Sequence, residues 1–231
     1  MRVRLLLLDL DGTLLDTAPD MGAALNLLRN EHKLSPLPQE RIRPHVSHGA
    51  PALLKLGFGL EPQDTRYAEM RARYLAIYQQ HLAEETHLFN GMEAVLERFD
   101  KTRLPWGVVT NKPGWLTEPL LDAFGLRQRA ACVVSGDSLA RRKPHPEPLL
   151  HACTTCGVSV EESAYVGDAQ RDVEAAHAAG MRAVVALYGY LGEDEMPTSW
   201  KAEHMIQHPS DLLTWLATQE TVSPIVEDAG A

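Results

Sequence analysis

Four leucines, Leu5 to Leu8, run directly into Asp9-Leu10-Asp11-Gly12-Thr13. A short apolar run closed by a glycine turn reads as a buried strand. Two carboxylates therefore stand at i and i+2 where that strand ends. In open α/β sheets, ligands bind outside the carboxyl ends of the strands, so these acids lie where chemistry is usually done. If the strand continues through them, both face one side and address one ligand. Two anions that close require either a divalent cation or a proton on one of them.

The pattern after residue 15 is helical. Met21, Ala24, Leu25 and Leu28 fall at i, i+3, i+4 and i+7, one apolar helix face. A second helix is expected from Ala50-Pro51, because Pro suits a helix's first turn. Tyr67, Met70, Tyr74, Ile77 and Tyr78 form a third apolar stripe. No segment between Asp16 and Leu88 reads as a strand. Helices are then expected over 93–99, 116–124, 147–156, 172–179 and 210–216, alternating with strands over 106–110, 131–135, 163–167 and 182–187. Gly125 and Gly180 stand as helix stop signals. Alternating strands and helices imply a doubly wound parallel sheet, interrupted after its first strand by a helical insertion. The expected division is a core of residues 1–15 and 89–218, a helical cap of 16–88, and a polar, acidic tail of 219–231 expected to be loose. The two chain crossings, near Asp16 and Phe89-Asn90-Gly91, would be hinges.

Charge narrows the partners. With 22 Lys and Arg against 31 Asp and Glu, the net charge is −9, which disfavours nucleic acid and anionic membrane. It also repels an anionic substrate, so a phosphate site must carry its own local positive charge. No stretch approaches the ~20 apolar residues of a membrane span, and the opening apolar run is too short for a secretion signal. Three cysteines suit a reducing cytoplasm. Cys153-Thr154-Thr155-Cys156 lacks the second ligand pair that a zinc site wants and lies late in an expected helix. It reads as core packing.

Taken together, four ordered segments resemble the motifs of the haloacid dehalogenase superfamily of phosphohydrolases. They are the Asp9–Asp11 segment, Thr110 after the apolar residues 106–109, Lys143 in Arg142-Lys143-Pro144, and Gly167-Asp168 with Asp172 four residues on. The resemblance spans roughly residues 4–213 and implies a Rossmann-like core with an inserted α-helical cap. By it, Asp9 is the nucleophile that forms an aspartyl-phosphate, and Asp11 protonates the leaving alkoxide and then activates water. A Mg²⁺ ion would be held by Asp9, Asp168 and the backbone carbonyl of Asp11. Lys143, Thr110 and the Asn111 backbone would bind phosphate, while Asp172 would hold a metal water or orient Lys143.

The cap placement resembles that of the phosphoglycolate phosphatase and β-phosphoglucomutase branch. There Ser47-His48-Gly49-Ala50-Pro51 would be the substrate loop, with Arg43 and His48 receiving a substrate carboxylate. A β-phosphoglucomutase-like mutase would carry a His where this chain has Met21. A dehalogenase would not need Asp11. Neither Lys33 nor Lys55 matches a phosphonatase's Schiff-base Lys, and a non-catalytic interaction protein would be expected to have lost a motif residue. The segments 106–113, 143–148 and Tyr188-Gly189-Tyr190 resemble the subgroup that includes N-acetylmuramic acid 6-phosphate phosphatases. The expected partner is thus a small phosphomonoester, 2-phosphoglycolate or N-acetylmuramic acid 6-phosphate, with Mg²⁺ as cofactor. Oligomeric state is not legible.

Overall fold

The structure, a computed structural model, describes residues 2–220. In chain order its strands are β1 (Leu5–Leu8), β2 (Leu15–Asp16), β3 (His87–Leu88), β4 (Trp106–Val109), β5 (Cys132–Val134), β6 (Ser163–Gly167), β7 (Arg182–Ala186) and β8 (His204–Ile206). Its helices are α1 (Ala18–Glu31), α2 (Gln39–Ile42), α3 (Gly49–Phe58), α4 (Tyr67–Gln80), α5 (Met92–Thr102), α6 (Gly114–Ala123), α7 (Glu147–Cys156), α8 (Gln170–Ala179) and α9 (Asp211–Glu220).

Six strands form one parallel sheet in the order β5-β4-β1-β6-β7-β8. The four leucines of β1 are fully buried and split by the strand's period of two. Leu6 and Leu8 pack with residues of α5, α6 and α9 on one face, and Leu5 and Leu7 with residues of α7 and α8 on the other. Burial on both faces explains why β1 is a continuous apolar run rather than an alternating one.

This order decides where ligands go. From β1 the chain builds outward through β4 and β5 on one side and through β6, β7 and β8 on the other. The crevice at the carboxyl end of β1, between β4 and β6, is the topological switch point of the sheet. Leu8 stands level with Val108 and Val166, so Asp9, Thr110 and Asp168 emerge side by side from three adjacent strand ends.

In chain order, helices α1 to α4 fall between β1 and β4. Every residue of the two apolar stripes is buried: Met21, Ala24, Leu25 and Leu28 of α1, and Tyr67, Met70, Tyr74, Ile77 and Tyr78 of α4. The expectation of no strand between Asp16 and Leu88 fails at its ends. The outgoing and returning chains pair as an antiparallel ribbon, Leu15 with Leu88 and Asp16 with His87. Two residues per strand are too few to show a period. The buried Asp20 carboxylate secures the return by accepting from the Glu85 and Thr86 N–H groups, both at 2.9 Å. Of the segment 47–51 read as the substrate loop, Ser47 and His48 end a 3₁₀ helix over Arg43–His48, and the rest form the first turn of α3.

Three further elements escaped the sequence pattern. They are the edge strand β8, whose His204 and Met205 interrupt any apolar run, the short α2, and a 3₁₀ helix over Pro197–Trp200. Helix α9 continues through Glu220, so Gln219 is helical where a loose tail was expected. The remainder of that tail, 221–231, lies outside the described residues. Among the described residues, no helix is long and apolar enough to cross a membrane.

Candidate active site

Burial forces the charged groups at the switch point to satisfy one another. Asp9 follows β1, Asp168 follows β6, Asp172 lies in the first turn of α8, and Lys143 sits in the loop between β5 and α7. All four are almost wholly buried. Lys143 Nζ lies 2.9 Å from Asp9 Oδ1 and 2.8 Å from Asp172 Oδ1, and donates to the Tyr165 hydroxyl at 2.5 Å. The Leu10 N–H donates to the same Asp9 oxygen at 2.7 Å. Asp172 also accepts from the Ala169 N–H at 3.1 Å, an N-terminal cap on α8. Burial pushes the Asp9 carboxyl up, against the pull of the Lys143 ammonium.

Asp168 differs from its neighbours. Its Oδ2 accepts from Ser47 Oγ at 2.5 Å and the Tyr190 N–H at 2.9 Å, whereas its buried Oδ1 has no hydrogen-bond partner. Burial, then the charges of Asp172 and Asp9, push its carboxyl up to about 7. Asp9, Asp168 and Asp172 each offer a carboxylate oxygen, and the three oxygens lie within 4.8 Å of one another. Three buried acids, one with an orphaned oxygen, suit a divalent cation with a preference for hard oxygens. The third carboxylate of this group comes from Asp172, expected from the sequence to hold a metal water or orient Lys143; the Asp11 ligand expected there is its backbone carbonyl, not its carboxylate. A glycine is obligatory beside the group. Gly12 has φ +84°, and a Cβ there would stand 2.1 Å from Asp168 Oδ2.

Asp11, two residues beyond Asp9, is directed to other partners. Its Oδ1 accepts from Thr17 Oγ1 at 2.6 Å and from Lys112 Nζ at 2.8 Å. Asp9 and Asp11 line one cavity of about 680 Å³ together with Thr110, Asn111, Lys143 and Arg171. Thr110 is buried at the end of β4, where its hydroxyl accepts from the Lys112 N–H at 3.2 Å. The Asn111 side chain donates to the Lys143 carbonyl at 2.9 Å, tying the Lys143 loop to the end of β4, and its buried Oδ1 has no partner. Asn111 was expected only as a backbone donor.

Residues of the inserted helices complete the cavity: Met21, Val46, Ser47, His48, Tyr67, Arg71, Tyr74 and Tyr78 among them. His48 therefore stands where expected. Burial, then the Arg171 charge, push its imidazole down. Arg43, expected to receive a substrate carboxylate, is not among the residues that line the cavity. Its guanidinium pairs with Asp16 at 2.8 Å and lies 4.9 Å from the centre of the Tyr190 ring. The Tyr190 hydroxyl in turn donates to Asp16 at 2.9 Å and accepts from the Ala18 N–H at 3.0 Å. Arg43 thus belongs to a strut at the chain crossing.

Sequence reasoning gives no role to Lys112, Arg171, Arg71 or Tyr190 and sees Ser47 only as part of the substrate loop. Arg171 donates to the Ser47 carbonyl at 2.8 Å and faces Asp172, Asp9 and Asp168. For Arg171 a signal existed, since it lies between Asp168 and Asp172, and Lys112 and Tyr190 lie within segments that resemble the subgroup; Arg71 carries none. A larger cavity, about 880 Å³, lies at the opposite end of the sheet, where Arg4 and Pro105 precede β1 and β4, and it contains no carboxylate. Chemistry, not size, identifies the site. Cys153 is buried in the core beside Leu149 and Ala152, and Cys156 packs against it, as packing residues should.

Comparison with known proteins agrees with this geometry. The pattern of the haloacid dehalogenase-like hydrolases matches residues 6–186. A Xanthomonas campestris protein named phosphoglycolate phosphatase is 43% identical over 209 residues, covering 90% of this chain and 94% of its own. A Pseudomonas aeruginosa protein named N-acetylmuramic acid 6-phosphate phosphatase is 38% identical over 213 residues, 92% of this chain and 94% of its own. A solved structure from Haemophilus somnus, described as "a predicted phosphoglycolate phosphatase", superposes with a TM-score of 0.82 at 26% identity. It covers 93% of this chain and 98% of that one.

Proposed function

The chain belongs to the haloacid dehalogenase-like hydrolase family, and on that premise we propose that it hydrolyses the phosphomonoester of a sugar acid through an aspartyl-phosphate on Asp9. It is a phosphatase of a small phosphorylated metabolite, as its relatives' names indicate. In the proposed reaction an Asp9 oxygen attacks phosphorus while the bond from phosphorus to the substrate oxygen breaks. Asp11 gives its proton to the departing alkoxide, then takes one from the water that attacks the aspartyl-phosphate and frees Asp9. Lys143, already against Asp9, balances the charge of the transferring group, and Thr110 and Asn111 donate to its oxygens. Asp9, Asp168 and Asp172 would hold the divalent cation, which as Mg²⁺ would neutralise repulsion between Asp9 and the substrate dianion. Asp172, paired with Lys143, would also keep that ammonium in place.

The observation that carries the substrate class is the size and lining of the cavity. At about 680 Å³ it falls in the range of pockets that enclose drug-sized ligands, on the order of 300–1,000 Å³. A two-carbon acid phosphate would leave most of it empty. Beyond the phosphate end its wall is apolar and aromatic, from Val46, Tyr67, Tyr74, Leu75 and Leu116, with Arg71 as a cation and the His48 imidazole as a polar group. That lining suits a sugar ring bearing a carboxylate. The cavity-lining Arg71 takes over the carboxylate-receiving role first expected of Arg43. 2-Phosphoglycolate is the second reading, favoured by the 43% identical relative. Steady-state hydrolysis of N-acetylmuramic acid 6-phosphate, 2-phosphoglycolate and glucose 6-phosphate separates them. The highest kcat/KM is expected on the muramic acid ester; a preference for 2-phosphoglycolate would establish the smaller substrate.

A further inference from the structure

The geometry points to Lys112 as the positioning residue of Asp11, set in place by Tyr78 of the inserted helices. Lys112 is two residues beyond Thr110 and only 8% exposed, unusual for a lysine. Its ammonium donates to Asp11 Oδ1 at 2.8 Å and to the Tyr78 hydroxyl at 2.8 Å, and lies 4.6 Å from the centre of the Tyr78 ring. The lysine backbone is fixed as well. Its carbonyl accepts from the Gly136 N–H at 2.8 Å and from Thr117 Oγ1 at 3.1 Å, and its N–H donates to Thr110 Oγ1.

A buried ammonium between a carboxylate and a phenol is a stiff connection, because moving it would strand a charge out of water. Tyr78 is fully buried in α4, and burial holds its phenol neutral, so it serves Lys112 as a hydrogen-bond acceptor. Lys112 and Thr17 both bind Oδ1 of Asp11 and leave Oδ2 without a protein partner among the described residues, on a residue that lines the cavity. One oxygen is anchored and the other is presented. The anchor reaches both the core, through the loop after β4, and the insertion, through α4. Seating the inserted helices on the core thereby completes the aim of Asp11.

This rests on the reading of Asp11 as the proton donor, and the leaving group tests both separately. An alkyl phosphate needs a proton on its departing oxygen, whereas p-nitrophenyl phosphate does not. Lys112→Met removes the ammonium and keeps the stem. It is expected to lower kcat/KM, which reports the step that expels the leaving group, on an alkyl phosphate such as glycerol phosphate by ~100-fold, the scale of general-acid catalysis. On p-nitrophenyl phosphate kcat/KM should fall less than about fivefold, while kcat, which includes the water attack on the common aspartyl-phosphate, is not the discriminating readout. Tyr78→Phe should produce the same skew more weakly. Lys112→Gln is the second variant should the methionine not fold. Equal losses on both substrates in a folded Lys112 variant, or no loss on either, overturn the proposal. Asp11→Asn is the control. If it lacks the skew, the reading of Asp11 is what fails; if it shows the skew and the Lys112 variants do not, the positioning role alone fails.

Discussion

The two walls of the cavity are built on opposite plans. On the core side Asp9 and Lys143, which line the cavity, and Asp168 and Asp172 beside them are almost wholly buried, and most of their oxygens and nitrogens already have protein partners. On the wall from the inserted helices, Arg71 and His48 are exposed, Ser47 is half-buried, and apolar side chains supply most of the lining. Buried charges at short distance give a rigid, preorganised site that leaves little to rearrange during reaction. Exposed polar side chains on a helical layer can be changed without disturbing the fold. The core wall therefore suits the phosphoryl group, common to all substrates of this type, and the inserted wall suits whatever distinguishes one substrate from another.

The largest effect should come from the core wall. Asp9→Asn is nearly isosteric and should remove turnover by ~10⁴-fold or more on every substrate, because no other carboxylate can form the covalent bond. Circular dichroism should remain unchanged. Residual turnover close to the parent's would break the covalent mechanism and with it the division of labour between the walls.

An intermediate effect concerns the metal and the proton. With the Asp168 carboxyl raised from its usual 3.8 to about 7, the folded protein binds that proton more tightly than the unfolded chain does. Without divalent cations this contribution to stability is complete below the unfolded value and is lost as pH rises through about 7. A cation would replace the proton, so the rise in Tm on adding Mg²⁺ should be greater at about pH 8 than at about pH 5.5. Calorimetry in chelator and in Mg²⁺ measures this directly; a rise independent of pH would separate Asp168 from the metal.

The smallest effect sharpens the contrast within the insertion itself. Arg71→Ala should lower kcat/KM on a carboxylate-bearing substrate by about 10- to 100-fold, the scale of a lost charge-assisted contact, and change hydrolysis of an aryl phosphate less than about threefold. Arg43→Ala should lower both rates alike, together with Tm, because its partners Asp16 and Tyr190 belong to the chain crossing. Selective loss at Arg43 and none at Arg71 would reverse the two roles.

What was legible in the sequence was whatever repeats or clusters over a few residues. The leucine run of β1, the i, i+3, i+4 stripes of α1 and α4, and helix α7, which spans 147–156 as read, are local patterns that burial enforces one element at a time. The ribbon of β2 and β3 was not legible, since its strands are two residues each and their partners lie about 70 positions apart. The same holds within the site. That Asp9, Thr110, Lys143 and Asp168 carry chemistry could be expected from four short motifs. That Asp172 orients Lys143 is one of the two roles the resemblance implies; that Arg43 turns back onto Asp16 and that Lys112 reaches across 101 positions to Asp11 could not be expected. The chain by itself determined the parallel sheet and which acids sit at its strand ends, because those follow from period and spacing. Only the tertiary structure decided which cation satisfies which acid, because a buried charge takes whatever partner packing brings within about 3 Å, irrespective of its place in the chain.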